Sequence, residues 1–184
     1  MPRKVVASLY VTLDGFIDEP GLWSFPFWSQ EAADFKAREL AASDAPLLGR
    51  LTYEGFAAYW PMSEGTGDFG AKMNAMPKHV ASRTLRTAPW NATLMEGDVA
   101  DAVRRLKALD GGDLLIAGSG QLVDYLTGHD NDRRMPPDGR AHRARGRTKR
   151  LFARAPRRTL ALAGTLALPN GVLVNTYRRA VSAP

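Results

Sequence analysis

Cysteine is absent from this chain of 184 residues. Its absence excludes disulfide bonds, zinc sites built on thiolates and cysteine nucleophiles, and it suits a protein of a reducing compartment. The three histidines, His79, His129 and His142, have no metal-ligand spacing. We therefore expect neither a metal site nor thiol chemistry.

Long hydrophobic runs are absent as well. No apolar stretch approaches the ~18 residues that a membrane-spanning helix needs. Residues 1–4 lead into a strand-like segment without the apolar core of a signal peptide. A length of 184 residues, 45% of them hydrophobic, suits one domain with a sizeable core. The sequence thus predicts a single cytoplasmic domain over residues 1–184, with no membrane association.

Acidic residues are scarce in one segment only. The net charge is +6, and residues 131–150 contain seven Arg, one Lys and two Asp, whereas the remainder has 17 basic and 17 acidic residues. Clustered Arg binds phosphates without sequence preference, so the segment could be a disordered basic loop or a nucleic-acid-binding arm. It has no Phe, Trp or Tyr on which a base could stack, which disfavours nucleic-acid binding.

Strands and helices alternate along the rest of the chain. Short apolar and β-branched runs predict strands, and Ser29 and Asp98 are typical N-caps. Residues 20–28 are interpreted as an aromatic loop and residues 62–74 as a polar one. We predict strands at residues 4–12, 45–48, 78–81, 93–95, 113–117, 159–163 and 172–177, and helices at 29–43, 51–60, 98–109 and 120–127.

This alternation predicts an α/β fold with a mixed, mostly parallel sheet flanked by helices. The last two strands are separated by Pro169-Asn170-Gly171, a turn sequence, so they are expected to form a C-terminal antiparallel hairpin.

Three polar segments follow strands, at the edge where open α/β sheets bind ligands. They are Gly49-Arg50-Leu51-Thr52, Ser82-Arg83-Thr84 and Gly118-Ser119-Gly120-Gln121. Glycine lets a ligand approach the backbone, a helix N-terminus attracts anions, and guanidinium and hydroxyl groups bind phosphate oxygens. Each segment alone is also a common structural turn. Together they favour a ligand with several phosphates.

A series of motifs resembles the dihydrofolate reductase fold and, more closely, the reductase family typified by the RibD C-terminal domain. The motifs are SLYVTLDGFI, LLGRLTYEGF followed by YWP, MPKHVASRTL, LLIAGSGQLVDYL and LALPNGVLVNTY. The resemblance spans nearly the whole chain outside residues 131–147. It implies an NADPH-dependent reductase acting on a small heterocycle, such as a pterin or a pyrimidine of the riboflavin pathway. Homodimers are usual in this family.

The resemblance also implies which residues contact NADPH, the expected cofactor. The 2′-phosphate contacts are what imply NADPH rather than NADH. The residues are Gly49, Arg50 and Thr52 for the phosphates, Ser82 and Arg83 for the 2′-phosphate, Gly118, Ser119 and Gly120 for the pyrophosphate, and Ala7 and the stretch Thr12 to Gly15 near the nicotinamide. Thr84 and Gln121 are expected to contact the cofactor as well.

The proton donor has two candidates. In dihydrofolate reductase an acidic residue near the start of the first helix contacts the pterin, and Glu31, four residues before Phe35, falls near that place. Glu31 could equally be a first-turn acid that favours the helix dipole. Asp14 is the other candidate, and it could equally serve only to form a turn. Four aromatic residues either wall a substrate pocket or cover the core; they are Trp23, Phe25, Phe27 and Trp28.

The basic segment interrupts the resemblance. The family pattern after the LVDYL helix continues with a strand of the type LIDExRLMVxPVVLGxG and then KRLF, and here only Lys149-Arg150-Leu151-Phe152 matches it. If the possible codons for residues 131–147 are shifted by one base, the allowed translations include TIDECRLMVAPIVLGGG, which fits the family strand. Our hypothesis is a pair of compensating frameshifts, one near residue 130 and one near residue 148.

An anomalous segment at about residues 129–148 has two consequences. The sheet would lack an apolar strand beside the final hairpin, leaving a gap or an exposed edge and a less stable protein. The chain could then be an inactive, non-catalytic member of the same fold, which is the alternative to an active reductase.

Overall fold

A computed structural model describes residues 3–129, 133–135, 137–140, 149–152 and 159–180, with the backbone alone for 133–135 and 137–140. The strands are β1 (Val5–Thr12), β2 (Ser43–Gly49), β3 (Lys78–Ala81), β4 (Ala92–Leu94), β5 (Asp113–Ala117), β6 (Arg133–Met135), β7 (Pro137–Arg140), β8 (Leu160–Leu168) and β9 (Val172–Arg179). The α-helices are α1 (Pro20–Trp23), α2 (Gln30–Ala41), α3 (Arg50–Tyr59), α4 (Gly67–Ala75), α5 (Val99–Ala108) and α6 (Gly120–Gly128). Short 3-10 helices lie at Phe25–Phe27, Trp60–Met62 and Pro169–Gly171.

The described strands form one mixed sheet. Strands β4, β3, β2, β5 and β1 lie side by side in parallel. Strands β6 and β7 both pair in parallel with β1 and antiparallel with β9, and β8 and β9 form an antiparallel hairpin. The prediction of a mostly parallel sheet flanked by helices, with a C-terminal hairpin, is confirmed.

Both predicted helix caps are present. The Ser29 hydroxyl accepts a hydrogen bond from the Ala32 N–H at 3.3 Å, and the Asp98 carboxylate accepts one from the Asp101 N–H at 3.0 Å. Each satisfies a backbone donor that has no partner within its helix. These caps fix where α2 and α5 begin and therefore how each helix returns across the sheet.

The core is divided between the two faces of β1. Val5, Ala7, Leu9 and Val11 point toward α5 and α6 and are buried in the largest apolar cluster. Because side chains alternate along a strand, Val6 faces the opposite side, where it packs against residues of α2, α3 and α4. The strand thus has an entirely apolar face, and a second face on which Val6 is followed by Ser8 and Tyr10.

Some predicted elements are wrong in extent. The polar loop 62–74 contains α4, whose Met73 is buried against Leu40 of α2, and the aromatic loop 20–28 contains α1 and a 3-10 helix. The strand predicted at 159–163 continues to Leu168. The predicted gap beside the hairpin is also wrong, because the backbone of β6 and β7 lies between β1 and β9.

No helix within the described ranges is long and apolar enough to cross a membrane.

Candidate functional site

Two helix N-termini meet at the carboxyl ends of β2 and β5. Helix α3 follows β2 directly, and α6 follows β5 after a two-residue turn. The Gly49 N–H donates a hydrogen bond to Ser119 Oγ at 2.8 Å, and the Ser119 hydroxyl donates to Thr52 Oγ1 at 2.8 Å. The structure therefore brings the first and third predicted segments together through direct contacts.

The turn before α6 depends on backbone conformations that place it close to its neighbours. Gly118 and Ser119 have φ values of +81° and +60°, in the left-handed region. A Cβ atom on Gly120 would lie 2.1 Å from Ile17 Cδ1, so Gly120 lets the loop after β1 pack directly on the helix start. Three segments far apart in sequence thus converge at one edge of the sheet.

The N-cap residues of α3 and α6, Gly49 and Ser119, provide no side-chain acceptor for the first backbone N–H groups of their own helices. Converging N–H donors at two helix N-termini carry a partial positive charge and bind anions. The arrangement can therefore hold a phosphate or pyrophosphate group.

Arg50 lies at the first position of α3. Its guanidinium forms an ion pair with Glu54 on the next turn, at 2.9 Å, and both side chains are 41% exposed. An exposed pair of this kind contributes only about 0.3–0.5 kcal/mol. Glu54 would therefore compete only weakly with an incoming phosphate for the Arg50 guanidinium.

The segment after β3 lies at the same edge. Gly49 of β2 is paired with Ala81 of β3, so the residues that follow each strand are neighbours. Ser82 Oγ accepts hydrogen bonds from the backbone N–H groups of Thr84 and Leu85, which forms a tight turn, and the side chain of Arg83 is exposed. Gln121, in the first turn of α6, is also exposed.

The loop after β1 starts with a tight turn. The Gly15 N–H donates to the Thr12 carbonyl at 2.8 Å, and the Phe16 N–H donates to Thr12 Oγ1 at 2.9 Å. Gly15 has a φ of +90°, which favours glycine. Ala7 is fully buried in the cluster beneath α5 and α6, so only its backbone faces the neighbouring strands.

The two candidate proton donors both lie on the surface. Glu31 is exposed in the first turn of α2, and Asp14 is exposed in the turn after β1. Their proposed roles remain predictions. Trp23 is buried and donates its indole N–H to the Asp18 carbonyl, whereas Phe25 and Trp28 are exposed.

A polar cluster on the second face of β1 was missed in the sequence. Lys36 of α2 donates hydrogen bonds to Ser8 Oγ at 2.5 Å and to Glu39 Oε2 at 3.2 Å. The spacing of residues along α2 could have revealed the cluster. Positions 32, 36 and 40 are four residues apart and lie on one helix face, so Lys36 shares the apolar face with Ala32 and Leu40. Ser8 is likewise a polar residue within an apolar strand.

Comparison with known proteins identifies the class. Three solved structures share the fold over 98% of this chain. A protein of Shewanella sp. PV-4, named a "putative riboflavin biosynthesis protein", has a TM-score of 0.71, 17% identity and full coverage of its own chain. A pyrimidine reductase-like protein from Corynebacterium diphtheriae has a TM-score of 0.67, 13% identity and 93% coverage of its own chain. Schistosoma mansoni dihydrofolate reductase has a TM-score of 0.59, 15% identity and full coverage. The fold is that of dihydrofolate reductase.

Within this class, the family model of the RibD C-terminal domain matches residues 3–130. The chain belongs to the RibD C-terminal domain family, whose members are reductase-like. YyaP of Bacillus subtilis strain 168, an uncharacterized protein, is 26% identical over 127 residues. The alignment spans 66% of this chain and 65% of the length of YyaP. The family match ends at the residue before the segment 131–147.

Proposed function

We propose that this chain is a reductase that transfers hydride from NADPH to a small heterocyclic substrate. The observation that carries the proposal is the convergence of the α3 and α6 N-termini, joined by the contacts of Gly49, Ser119 and Thr52. This donor set suits the pyrophosphate of a dinucleotide, and the family supplies the reductase class. The absence of cysteine and the use of NADPH favour the cytoplasm.

The same residues would divide the cofactor between them. The N–H groups at the starts of α3 and α6 would hold the pyrophosphate, with the Thr52 and Ser119 hydroxyls beside them. Arg83, exposed at the end of β3, would pair with the 2′-phosphate that distinguishes NADPH from NADH. When bound, NADPH supplies the hydride, and the protein positions the acceptor and excludes water.

Cofactor binding is tested by titrating the chain with NADPH and with NADH and following tryptophan fluorescence. We expect NADPH to bind at least about 10-fold more tightly, a difference of ~1.4 kcal/mol. Arg83→Ser should remove most of this preference, whereas Arg86→Ser, a nearby exposed arginine, should not. Equal affinities for the two cofactors, or no binding of either, would contradict the proposal.

Catalysis is tested by following NADPH oxidation with dihydropterins and with aminopyrimidines of the riboflavin pathway as acceptors. Turnover of either class supports the reductase. NADPH binding without turnover of any acceptor would favour the second candidate, a non-catalytic member of the fold. That candidate is favoured by β7, a strand between β1 and β9 whose sequence is Pro137-Asp138-Gly139-Arg140.

The hairpin is the proposed interface with a second copy of this chain. Within β8, residues 161–167 are exposed on both faces and none is charged. Among the described strands β8 pairs with β9 alone, so one edge of an apolar strand remains open to another chain. Twofold dimers are the commonest homo-oligomers, so a second copy of this chain is the proposed partner of this edge.

A further inference from the structure

A cleft lies between α5 and the strands β3 and β4. Its volume is about 240 Å³, and it opens to solvent. Met95, Leu106 and Leu109 form its apolar wall, and Ala102 contributes only a methyl group. A cavity of about 150 Å³ holds a benzene molecule, so this cleft has room for one ring with polar substituents. No residue proposed to contact NADPH is among the described residues that line it.

Two side chains of opposite charge line the cleft without pairing with each other. Glu96 follows β4 and Arg105 lies on α5, and both are exposed. Within the described residues, neither side chain has a hydrogen-bond or ion-pair partner. By contrast, Arg104 on the same helix forms an ion pair with Asp101 at 2.5 Å. Glu96 and Arg105 are therefore available to bind the two charges of one ligand.

His79 of β3 adds a polar group to the same cleft. Its ring is half-buried and has no hydrogen-bond partner in the part of the chain that the structure describes. Burial lowers the pKa of His79, and the Arg3 guanidinium lowers it further, so the ring is neutral at pH 7. A neutral imidazole donates one hydrogen bond, and the positive charge of Arg3 favours an anionic acceptor. A carboxylate therefore suits this donor better than an ammonium does.

The charges of the cleft match a zwitterion better than a simple ion. A monoanion would pair with Arg105 and leave Glu96 as a like charge nearby, and a monocation would do the reverse. A ligand that carries both a carboxylate and an ammonium pairs with both side chains at once. The apolar wall favours a ligand whose remaining part is apolar.

We propose that this cleft binds a small zwitterionic amino acid with an apolar side chain. Arg105 and His79 bind its carboxylate, Glu96 binds its ammonium, and the apolar wall covers its side chain. The site is separate from the proposed cofactor site. The inference therefore does not depend on the proposed reductase activity.

The probe is L-phenylalanine, added to the full chain while the backbone amide signals are followed by nuclear magnetic resonance. The signals of His79, Met95 and Arg105 should move together with one dissociation constant. The analogue 3-phenylpropionate lacks the ammonium, and phenethylamine lacks the carboxylate. Because an exposed ion pair contributes modestly, each analogue should bind about 3-fold more weakly or worse.

Arg105→Met and Glu96→Gln each remove one charge from an exposed side chain, so both variants should fold. Each should weaken L-phenylalanine binding by about 3-fold or more. Arg105→Met should also lose the preference over phenethylamine, and Glu96→Gln the preference over 3-phenylpropionate. Arg104→Met changes the adjacent exposed arginine, which does not line the cleft, and should bind as the unmodified chain does.

Binding of L-phenylalanine that persists in the presence of saturating NADPH supports a separate site. Displacement of L-phenylalanine by NADPH would assign the cleft to the cofactor and overturn the proposal. No movement of the three signals, equal affinities for L-phenylalanine and its two analogues, or unchanged affinity in both charge variants would overturn it too. A chain that binds L-phenylalanine but not NADPH would contradict the proposed function alone.

Discussion

Lys78 is a charged residue in a fully buried position. Its ammonium donates to the Asn74 carbonyl at 2.8 Å, at the end of α4, and lies 4.0 Å from the centre of the Trp90 ring. Asn74 in turn accepts the indole N–H of Trp90 at 2.7 Å. The lysine thus satisfies a carbonyl at a helix end that no backbone N–H reaches.

Burial lowers the pKa of Lys78 from 10.5 to about 8. Between these two values the folded chain binds fewer protons than the unfolded chain, so stability rises with pH across that range. We expect the free energy of unfolding to rise by at most about 3 kcal/mol from this group. Urea unfolding of the chain and of Lys78→Met at pH 7, 8, 9 and 10 measures it. Parallel pH profiles for the two proteins would exclude the effect.

The side chain of Ile17, in the loop after β1, lies against Gly120 at the start of α6. A methyl group on Gly120 must displace the end of the Ile17 side chain, so Gly120→Ala should cost about 1–2 kcal/mol despite its better helix propensity. Ile17→Val shortens the opposing side chain, and the double variant should recover most of the loss. Thermal unfolding of the four proteins tests this, and strictly additive effects would contradict direct contact.

At the scale of elements, β8 shows why the length of a strand is hard to predict from its residue types. Gly164 interrupts the apolar run, which predicts that the strand ends at residue 163. The structure instead continues the strand to Leu168 and absorbs the irregularity as a shift in register between Leu162 and Gly164. Helix α4 was missed for a related reason, because Gly67, Gly70 and Asn74 are poor helix formers and tertiary packing compensates for them.

The exposed face of β8 provides a prediction at this scale. If β8 is a dimer interface, Leu162→Lys together with Leu166→Lys should convert the chain from dimer to monomer, because two charges would be buried without partners. Leu109→Lys changes a similarly exposed leucine at the end of α5 and serves as the control. Sedimentation velocity distinguishes the states. A monomeric unmodified chain, or a dimeric double variant, would refute the interface.

At the scale of the molecule, the meeting of the three polar segments at one edge of the sheet could be predicted from sequence. The ends of parallel strands share one edge of a sheet, so Gly49, Ser82 and Ser119 were grouped correctly from local patterns alone. The contact of Lys36 with Ser8 spans 28 residues and depends on the rotation of α2 over β1. The spacing along α2 places Lys36 on its apolar face, but no local pattern specifies that rotation, so the contact with Ser8 was missed.

The central strand β7 bears on the frameshift hypothesis. It pairs with β1 on one side and β9 on the other, yet its sequence contains proline, aspartate and glycine, which strands use least. The shifted frame supplies Leu, Met, Val and Ala at residues 137–140. A position between two paired strands favours apolar residues, so the pairing supports our proposal that residues 131–147 are encoded in a shifted reading frame.

Replacing residues 131–147 by TIDECRLMVAPIVLGGG should raise the melting temperature by about 10 °C. Burial of a few aliphatic side chains stabilises by about 3–5 kcal/mol, and each kcal/mol corresponds to ~2–4 °C at this chain length. A scrambled version of the same 17 residues is the control, measured with a reductant because the frame introduces one cysteine. Equal melting temperatures for the unmodified chain and the replaced chain would contradict the hypothesis. Genomic sequencing that supports the present reading frame would contradict it as well.

The residues that follow this segment fasten the chain back onto the loop after β1. The Ile17 N–H donates to the Lys149 carbonyl and the Leu151 N–H donates to the Gly15 carbonyl, each at 3.0 Å, while Asp18 accepts from the Lys149 N–H. Leu151 and Phe152 pack against the main core. Because the backbone of residues 149–152 makes these hydrogen bonds, most single substitutions there would keep them, whereas a reading frame that stayed shifted beyond residue 148 would also replace Leu151 and Phe152 in the core.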